Sequence, residues 1–219
     1  MIHPSEQPEL RTERLTLRTF RPEDAADVQR LAGDDAIASA MMSVPHPLDD
    51  RKAAAWVADQ RSVWRQGKGV SFAIALRGDG RLVGAFWIHF RPEDAETPER
   101  DASGKPAKPG MPGPAVSPGP QAGRMGYWIG KEFWSRGYCT EAGAAVVRFA
   151  FGQLGLDSIR GVHFTRNPAS GRVMRKIGMT HQAHLPARAN YRGKMEDLES
   201  YVIHRGDLTP EKPPCRPKP

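Results

Sequence analysis

One stretch of the 219-residue chain brings together residue types that bind an anionic ligand. Residues 126–142 read GYWIGKEFWSRGYCTEA, a pattern that predicts a strand, a short loop and a helix. Backbone N–H groups at a helix start are unpaired and lie at the positive end of its dipole, so a pyrophosphate can bind there. Gly137 would let the backbone approach the ligand, and Arg136 would add a full charge. An ordinary strand–helix turn explains the same single glycine.

A second segment follows the next predicted strand. Residues 167–179 read NPASGRVMRKIGM and predict a short helix that begins near Pro168. Asn167 and Ser170 stand at its start, where side-chain oxygens accept hydrogen bonds from unpaired backbone N–H groups. The two segments therefore belong to neighbouring strand–helix units of one domain.

In this order the two segments resemble the GNAT superfamily, specifically its branch of ribosomal-protein N-terminal (Rim-type) acetyltransferases. The opening LRTERLTLR, residues 10–18, is similar to the first strand of that branch. The resemblance covers roughly residues 10–205 apart from a Pro/Gly-rich insertion. The matching positions are Gly126, Tyr127, Trp128, Ile129, Trp134, Gly137, Tyr138, Thr140, Glu141, Ala142, Asn167, Ser170, Lys176 and Gly178.

The resemblance implies an acetyl-CoA-dependent N-acetyltransferase. The phosphate loop of the family, Q/R-x-x-G-x-G/A, maps onto WSRGYC at residues 134–139, with Cys139 in place of the usual Gly or Ala. We expect Cys139 to pack as a small hydrophobe rather than to act as a nucleophile. Ile129 falls where the strand backbone of the family binds the pantetheine arm. The expected cofactor-binding residues are Ile129, Trp134, Ser135, Arg136, Gly137, Tyr138, Cys139, Thr140, Asn167 and Ser170.

Aminolysis of a thioester needs a neutral amine, a stabilised oxyanion and a proton for the departing thiolate. Many family members supply the proton from a tyrosine seven residues after the asparagine, where this chain has Met174. The resemblance implies the Ser170 hydroxyl as the substitute, and capping of the short helix is compatible with that role.

Glu141 is the acid nearest in sequence to the loop and is the candidate general base. The helix dipole also favours a carboxylate in a first turn without any catalytic role. Asp197, Glu199 or a relay through water are the alternatives.

The elements that position these residues follow from the hydrophobic periodicity and the turn residues. They predict an α/β GNAT fold whose central sheet is mixed, mostly antiparallel and splayed, with helices on both faces. The predicted strands span residues 14–20, 70–76, 81–90, 125–129, 158–165, 180–185 and 198–205, and the predicted helices 22–33, 49–67, 140–154 and 168–177.

The chain is predicted to be a single acetyltransferase domain over residues 10–205. Residues 1–9 and the Pro/Lys-rich tail 206–219 are expected to be flexible. Residues 91–123 contain eight prolines and few apolar side chains, and are expected to form a disordered insertion.

Composition adds broad expectations. Hydrophobic residues make up 39% of the chain, and the formal net charge is +7. The basic residues are dispersed, which does not favour nucleic acid as the partner, and no apolar run suits a membrane span. Two distant cysteines, at 139 and 215, indicate neither disulfides nor a metal site. We expect a cytoplasmic monomer or homodimer that acetylates a peptide α-amine; a small-molecule amine, or a non-catalytic acetyl-CoA-binding module, is the alternative.

Overall fold

The computed structural model describes residues 6–42, 44–92 and 121–208. Within that part of the chain, helices cover both faces of a single eight-stranded sheet. The elements are β1 (Leu10–Arg11), β2 (Leu15–Arg18), α1 (Asp24–Ala32), α2 (Asp35–Ala38), α3 (Asp50–Arg65), β3 (Gly69–Leu76), β4 (Leu82–Pro92), β5 (Gln121–Ile129), α4 (Tyr138–Gly152), β6 (Ser158–Phe164), α5 (Pro168–Lys176), β7 (Thr180–Tyr191) and β8 (Lys194–His204).

The sheet has the order β1-β2-β3-β4-β5-β6-β8-β7. Its strand pairs are antiparallel except β5 with β6, which are parallel. This arrangement confirms the predicted fold class. The parallel pair is the place where α4 crosses between two strands of the sheet.

Alternating side chains of the central strands form two apolar layers. On one face Trp56 of α3 packs edge-on against Phe20 and Trp87, with ring centroids 5.3 and 6.3 Å apart. On the other face Phe72 meets Phe149 of α4 at 5.9 Å. Because β5 is covered on both faces, its side chains alternate between the α3 side and the α4 side.

Side-chain caps set three of the helix starts. The side chains of Asp34, Asp49 and Asn167 accept hydrogen bonds from backbone N–H groups at the starts of α2, α3 and α5. Such caps satisfy donors that a helix cannot pair internally. Helix α2 has only four residues and was not predicted from the sequence, because one turn is too short to show a 3.6-residue period.

Several predicted boundaries were wrong. The last two strands form one long hairpin, with Tyr191 opposite Lys194. Most of β7 is exposed and its register shifts between Leu185 and Ala189, so it lacks the alternation of a half-buried strand. Strand β4 continues to Pro92 and β5 begins at Gln121, so both ends of the predicted insertion are paired strand.

The rest of the predicted insertion, residues 93–120, lies outside the described residues, as do residues 1–5 and 209–219. Within the part that is described, no helix is long and apolar enough to cross a bilayer.

Candidate active site

The site begins where the sheet opens. Strands β5 and β6 are paired only through residues 122–124 and 158–160. Beyond that point both strands line one cavity of about 940 Å³. Backbone groups on the open edge of β5 therefore face the cavity instead of a neighbouring strand.

Ile129 shows which groups those are. Gly130 N–H donates to the Val83 carbonyl in β4, and backbone groups alternate between the two edges of a strand. Those of Ile129 and Tyr127 consequently face the open edge. There the Ile129 carbonyl accepts a 2.6 Å hydrogen bond from the indole N–H of Trp134. The Ile129 N–H and the backbone groups of Tyr127 lie on the same edge, in position to hydrogen-bond a pantetheine arm.

The charge of the cavity wall is one-sided. Its described lining residues include Arg124, Arg166, Arg172 and Lys176 and contain no Asp or Glu. A ligand that carries several phosphates fits such a wall, because the cations oppose its charge. The same wall provides no carboxylate, among the residues described, that could bind a protonated amine.

The loop before α4 has the geometry of an anion cradle. Ser135 and Gly137 adopt positive φ values of 61° and 80°, and Gly137 is the N-cap of α4 without a side-chain cap. Positive φ curls the loop so that successive N–H groups converge. Together with the unpaired N–H groups of the first helical turn, they form the kind of site that binds a phosphate.

Most of the residues predicted to bind the cofactor come together in this cavity. Nine of the ten line it, from both the loop and the start of α5: Ile129, Trp134, Ser135, Gly137, Tyr138, Cys139, Thr140, Asn167 and Ser170. Arg136 is absent from the described lining; its guanidinium lies 6.0 Å from the Phe133 ring centroid, and its carbonyl accepts from Arg14 Nη1 at 3.0 Å.

Ser170 contacts Tyr127, whose hydroxyl was not predicted from the sequence to take part in the site. The Tyr127 hydroxyl lies 2.7 Å from Ser170 Oγ and 3.0 Å from the Ser170 carbonyl. Asn167, not Ser170, caps α5. Burial raises the pKa of Tyr127 well above its usual value, so the phenol keeps its proton. The period-two alternation of β5 was the available signal, because it places residue 127 on the α4 side.

Cys139 lines the cavity as a thiol. Burial raises its pKa well above the usual range, which keeps the sulfur protonated and unreactive. This environment agrees with a packing role for Cys139.

Glu141 does not line the described cavity. Its Oε1 accepts from Thr12 Oγ1 at 2.6 Å and from the Arg14 N–H at 2.9 Å, and its Oε2 accepts from Arg14 Nε at 2.7 Å. A general base must come within hydrogen-bond reach of the reacting amine. The carboxylate is instead used to hold the turn between β1 and β2, so the geometry favours anchoring over proton abstraction.

The other two candidate bases are also engaged elsewhere. Glu199 accepts from Thr165 at 3.1 Å and contacts His181 and His184 at 2.7 and 2.9 Å. Asp197 accepts from the Ala187 N–H at 2.8 Å. Neither carboxylate is part of the described cavity lining.

The far end of the cavity is closed by contacts between α2 and the β7–β8 hairpin. Arg166 donates to the Ser39 carbonyl at 2.8 Å and to Glu196 at 3.2 Å, and the Tyr191 hydroxyl donates to the Ala38 carbonyl. Arg166 also stacks on Phe164 at 4.3 Å. The residues of this end come from α2, the end of β6 and the β7–β8 hairpin, and not from the loop before α4.

A metal centre has no support in the described residues, where no group of three or more His, Cys, Asp or Glu side chains could hold an ion. His181 and His184 both turn towards Glu199, as described above.

Known proteins match most of the chain. The family model described as an acetyltransferase (GNAT) domain matches residues 14–180. An uncharacterised N-acetyltransferase of Bacillus subtilis, YoaA, is 24% identical over 196 residues, which cover 90% of this chain and 96% of the relative.

Solved structures share the fold. The ribosomal-protein-S5-alanine acetyltransferase of Vibrio fischeri superposes with a TM-score of 0.69 at 14% identity, over 93% of this chain and 100% of the other. RimJ of Mycobacterium smegmatis, in complex with CoA-disulfide, superposes with a TM-score of 0.68 at 20% identity, over 89% of this chain and 83% of the other.

Proposed function

Because the chain belongs to the GNAT acetyltransferase family and is an acetyl-CoA-dependent acyltransferase, we propose that its acceptor is the α-amine of a protein or peptide. The observation that carries this proposal is the composition of the cavity wall. Its described lining residues supply cations, hydroxyls and two histidines whose Nε2 atoms are buried, but no carboxylate that could take a proton from an ammonium group.

An acceptor in such a site must arrive neutral. At pH 7.4 about a quarter of an α-amine with a pKa of 7.7–8.0 is neutral, against about a tenth of one per cent of a lysine amine with a pKa near 10.4. The site therefore favours α-amines over lysine side chains and polyamines by about two orders of magnitude. The name of the Vibrio fischeri structure, a ribosomal-protein-S5-alanine acetyltransferase, agrees with an acceptor on a protein.

The loop at residues 134–140 would hold the pyrophosphate on its backbone N–H groups, and Arg172 and Lys176 would oppose the remaining phosphate charge. The open edge of β5 would hold the pantetheine arm. Acetyl-CoA supplies the activated acyl group, and the residues of the chain orient it and manage the protons.

In the transfer, the amine lone pair forms a bond to the acyl carbon and the carbon–sulfur bond breaks. Ser170 Oγ–H gives its proton to the departing sulfur, and Tyr127 passes its own proton to Ser170 through the 2.7 Å contact. The proton that the amine loses passes to water and from water back to Tyr127, because no carboxylate lines the described cavity and the Nε2 atoms of His89 and His163 in its wall are buried. Glu141 anchors the turn between β1 and β2 rather than acting as base.

Mass spectrometry after incubation with acetyl-CoA and a panel of amines tests the proposal. The panel pairs peptides that have a free α-amine with the same peptides blocked at the α-amine but containing lysine, and adds polyamines and amino sugars. We expect acetylation of the free α-amines, with kcat/KM rising with pH up to the pKa of the amine.

Acetylation of polyamines or lysine side chains in preference to α-amines would overturn the neutral-amine argument. Acetylation of amino sugars alone would establish a small-molecule acceptor. Binding of acetyl-CoA without turnover on any amine would instead indicate a non-catalytic module.

A further inference from the structure

The turn between β1 and β2 is fastened to the first turn of α4 by one carboxylate. Glu141 accepts from the side chain of Thr12 and from both the backbone and the guanidinium of Arg14, at distances between 2.6 and 2.9 Å. Partial burial pushes the pKa of Glu141 up, but these hydrogen bonds outweigh it and the pKa lies below its usual value. Glu141 is therefore an ionised anchor.

Arg14 also reaches the phosphate loop itself. Its Nη1 donates to the Arg136 carbonyl at 3.0 Å, and its guanidinium lies 4.9 Å from the Tyr138 ring centroid. Its Nη2 lies 3.4 Å from where a Cβ on Gly137 would stand. One side chain thus contacts Arg136 and Tyr138 and lies beside Gly137 between them, at the point where the loop becomes a helix.

The bond to the Arg136 carbonyl fixes the direction of a peptide plane. In a trans peptide the C=O and the N–H of the next residue point in opposite directions. With the Arg136 carbonyl turned towards Arg14, the Gly137 N–H points the other way. Gly137 belongs to the described cavity lining whereas Arg136 and Arg14 do not, which fits an N–H turned to the cavity.

We propose that Arg14, held by Glu141, is a positioning residue that orients the Arg136–Gly137 peptide so that the Gly137 N–H binds the pyrophosphate of acetyl-CoA. Without this hold, the glycine lets the peptide plane rotate, since φ at Gly137 is free to change sign. The loop would then lose a pre-oriented donor, and ordering this peptide on binding would cost free energy that reduces the affinity.

Arg14 should affect the binding of acetyl-CoA through the geometry of the loop rather than through its own charge. The Arg14 guanidinium is paired with Glu141 at 2.7 Å, so the two charges largely cancel at the distance of the phosphates. Replacing both residues together should therefore weaken binding about as much as replacing Arg14 alone.

The proposal rests on the phosphate-loop assignment made above, and two thioester donors separate it from a general loss of fold. Acetyl-CoA has the pyrophosphate, and S-acetyl-pantetheine lacks it. In Arg14→Gln we expect acetyl-CoA to bind about tenfold more weakly, the worth of one hydrogen bond to a charged group. We expect kcat at saturating acetyl-CoA and kcat/KM for S-acetyl-pantetheine to stay within twofold of the unmodified protein.

Arg14→Lys keeps the charge but cannot make the forked contacts, and should not restore binding. Arg11→Gln is the matched control: Arg11 is an exposed arginine three residues earlier whose partner is Glu9, and its replacement should leave both donors unaffected.

Calorimetry with CoA alone, without any acceptor, measures the binding effect even if no amine on the panel is acetylated. The proposal fails if Arg14→Gln binds CoA normally. It also fails if both donors lose kcat/KM equally, since that result indicates a purely structural role, or if Arg14→Lys restores full affinity.

Discussion

The Tyr127 hydroxyl and the Ser170 Oγ lie 2.7 Å apart in the wall of the cavity. Tyr127 comes from the open edge of β5 and Ser170 from the first turn of α5, so the pair joins two elements that line the cavity. We propose that this hydroxyl pair takes the place of the tyrosine that the family often has at the Met174 position.

Replacing either hydroxyl should slow the chemical step. General acid catalysis contributes about 10²–10⁴-fold, and we expect kcat to fall about 100-fold in Ser170→Ala and less in Tyr127→Phe. Affinity for acetyl-CoA should be unchanged, because neither hydroxyl belongs to the proposed phosphate loop. Steady-state kinetics with a peptide acceptor, combined with calorimetry, measure the two quantities.

The double variant tests the relay. If the two hydroxyls act as a unit, Tyr127→Phe should have little further effect in the Ser170→Ala background. Independent, multiplying losses would mean that Tyr127 acts separately from Ser170.

A side chain at Gly137 should abolish cofactor binding. The residue has φ of 80°, a conformation that costs a β-branched residue about 1–3 kcal/mol. We expect Gly137→Val to lose measurable affinity for acetyl-CoA in calorimetry.

Gly67→Val is the matched control for backbone strain. Gly67 has φ of 62°, and a Cβ added to it would meet nothing within 4 Å in the part of the chain that the structure describes. The substitution should therefore destabilise the fold without affecting affinity. Unchanged acetyl-CoA binding in Gly137→Val would refute the phosphate-loop assignment.

Arg166 should matter to the acceptor and not to acetyl-CoA. It ties the end of β6 to the Ser39 carbonyl and to Glu196, at the end of the cavity closed by α2 and the β7–β8 hairpin. In Arg166→Ala we expect KM for the peptide to rise about tenfold, because the hydrogen bond that holds Glu196 beside this end of the cavity is lost. KM for acetyl-CoA should stay constant; a parallel rise in both would place Arg166 in the cofactor half of the site.

The ionisation of Glu199 should make the free energy of unfolding depend on pH. Hydrogen bonds from His184 and His181 lower its pKa to about 2, while an unfolded glutamate titrates near 4.3. A carboxylate with a depressed folded pKa stabilises the protein fully above the unfolded value, and this contribution disappears as pH falls through the folded value. The stabilising effect should therefore decline between about pH 4.3 and pH 2.

Denaturant unfolding of the unmodified protein and of Glu199→Gln measures this effect. We expect the two proteins to differ most above about pH 4.3 and to converge at about pH 2. A difference that stays constant over this range would show that the ionisation of Glu199 does not contribute.

Local sequence determined much of this protein. The glycine before a helix, the asparagine cap before Pro168 and the hydrophobic periods of α3 and β3 are local signals, because each depends on residues a few positions apart. They predict the fold class. The family resemblance adds ten cofactor-binding residues, of which nine line the cavity.

Tertiary structure alone decided the partners of the polar side chains. Glu141 reaches Arg14 across 127 positions of the chain, and Tyr127 reaches Ser170 across 43. Neither pairing leaves a periodic pattern or a motif in the sequence, because each arises from the order of strands in the sheet. Sequence proximity suggested Glu141 as a base next to the loop; the sheet brought β1 and β2 beside α4 and turned that carboxylate into an anchor.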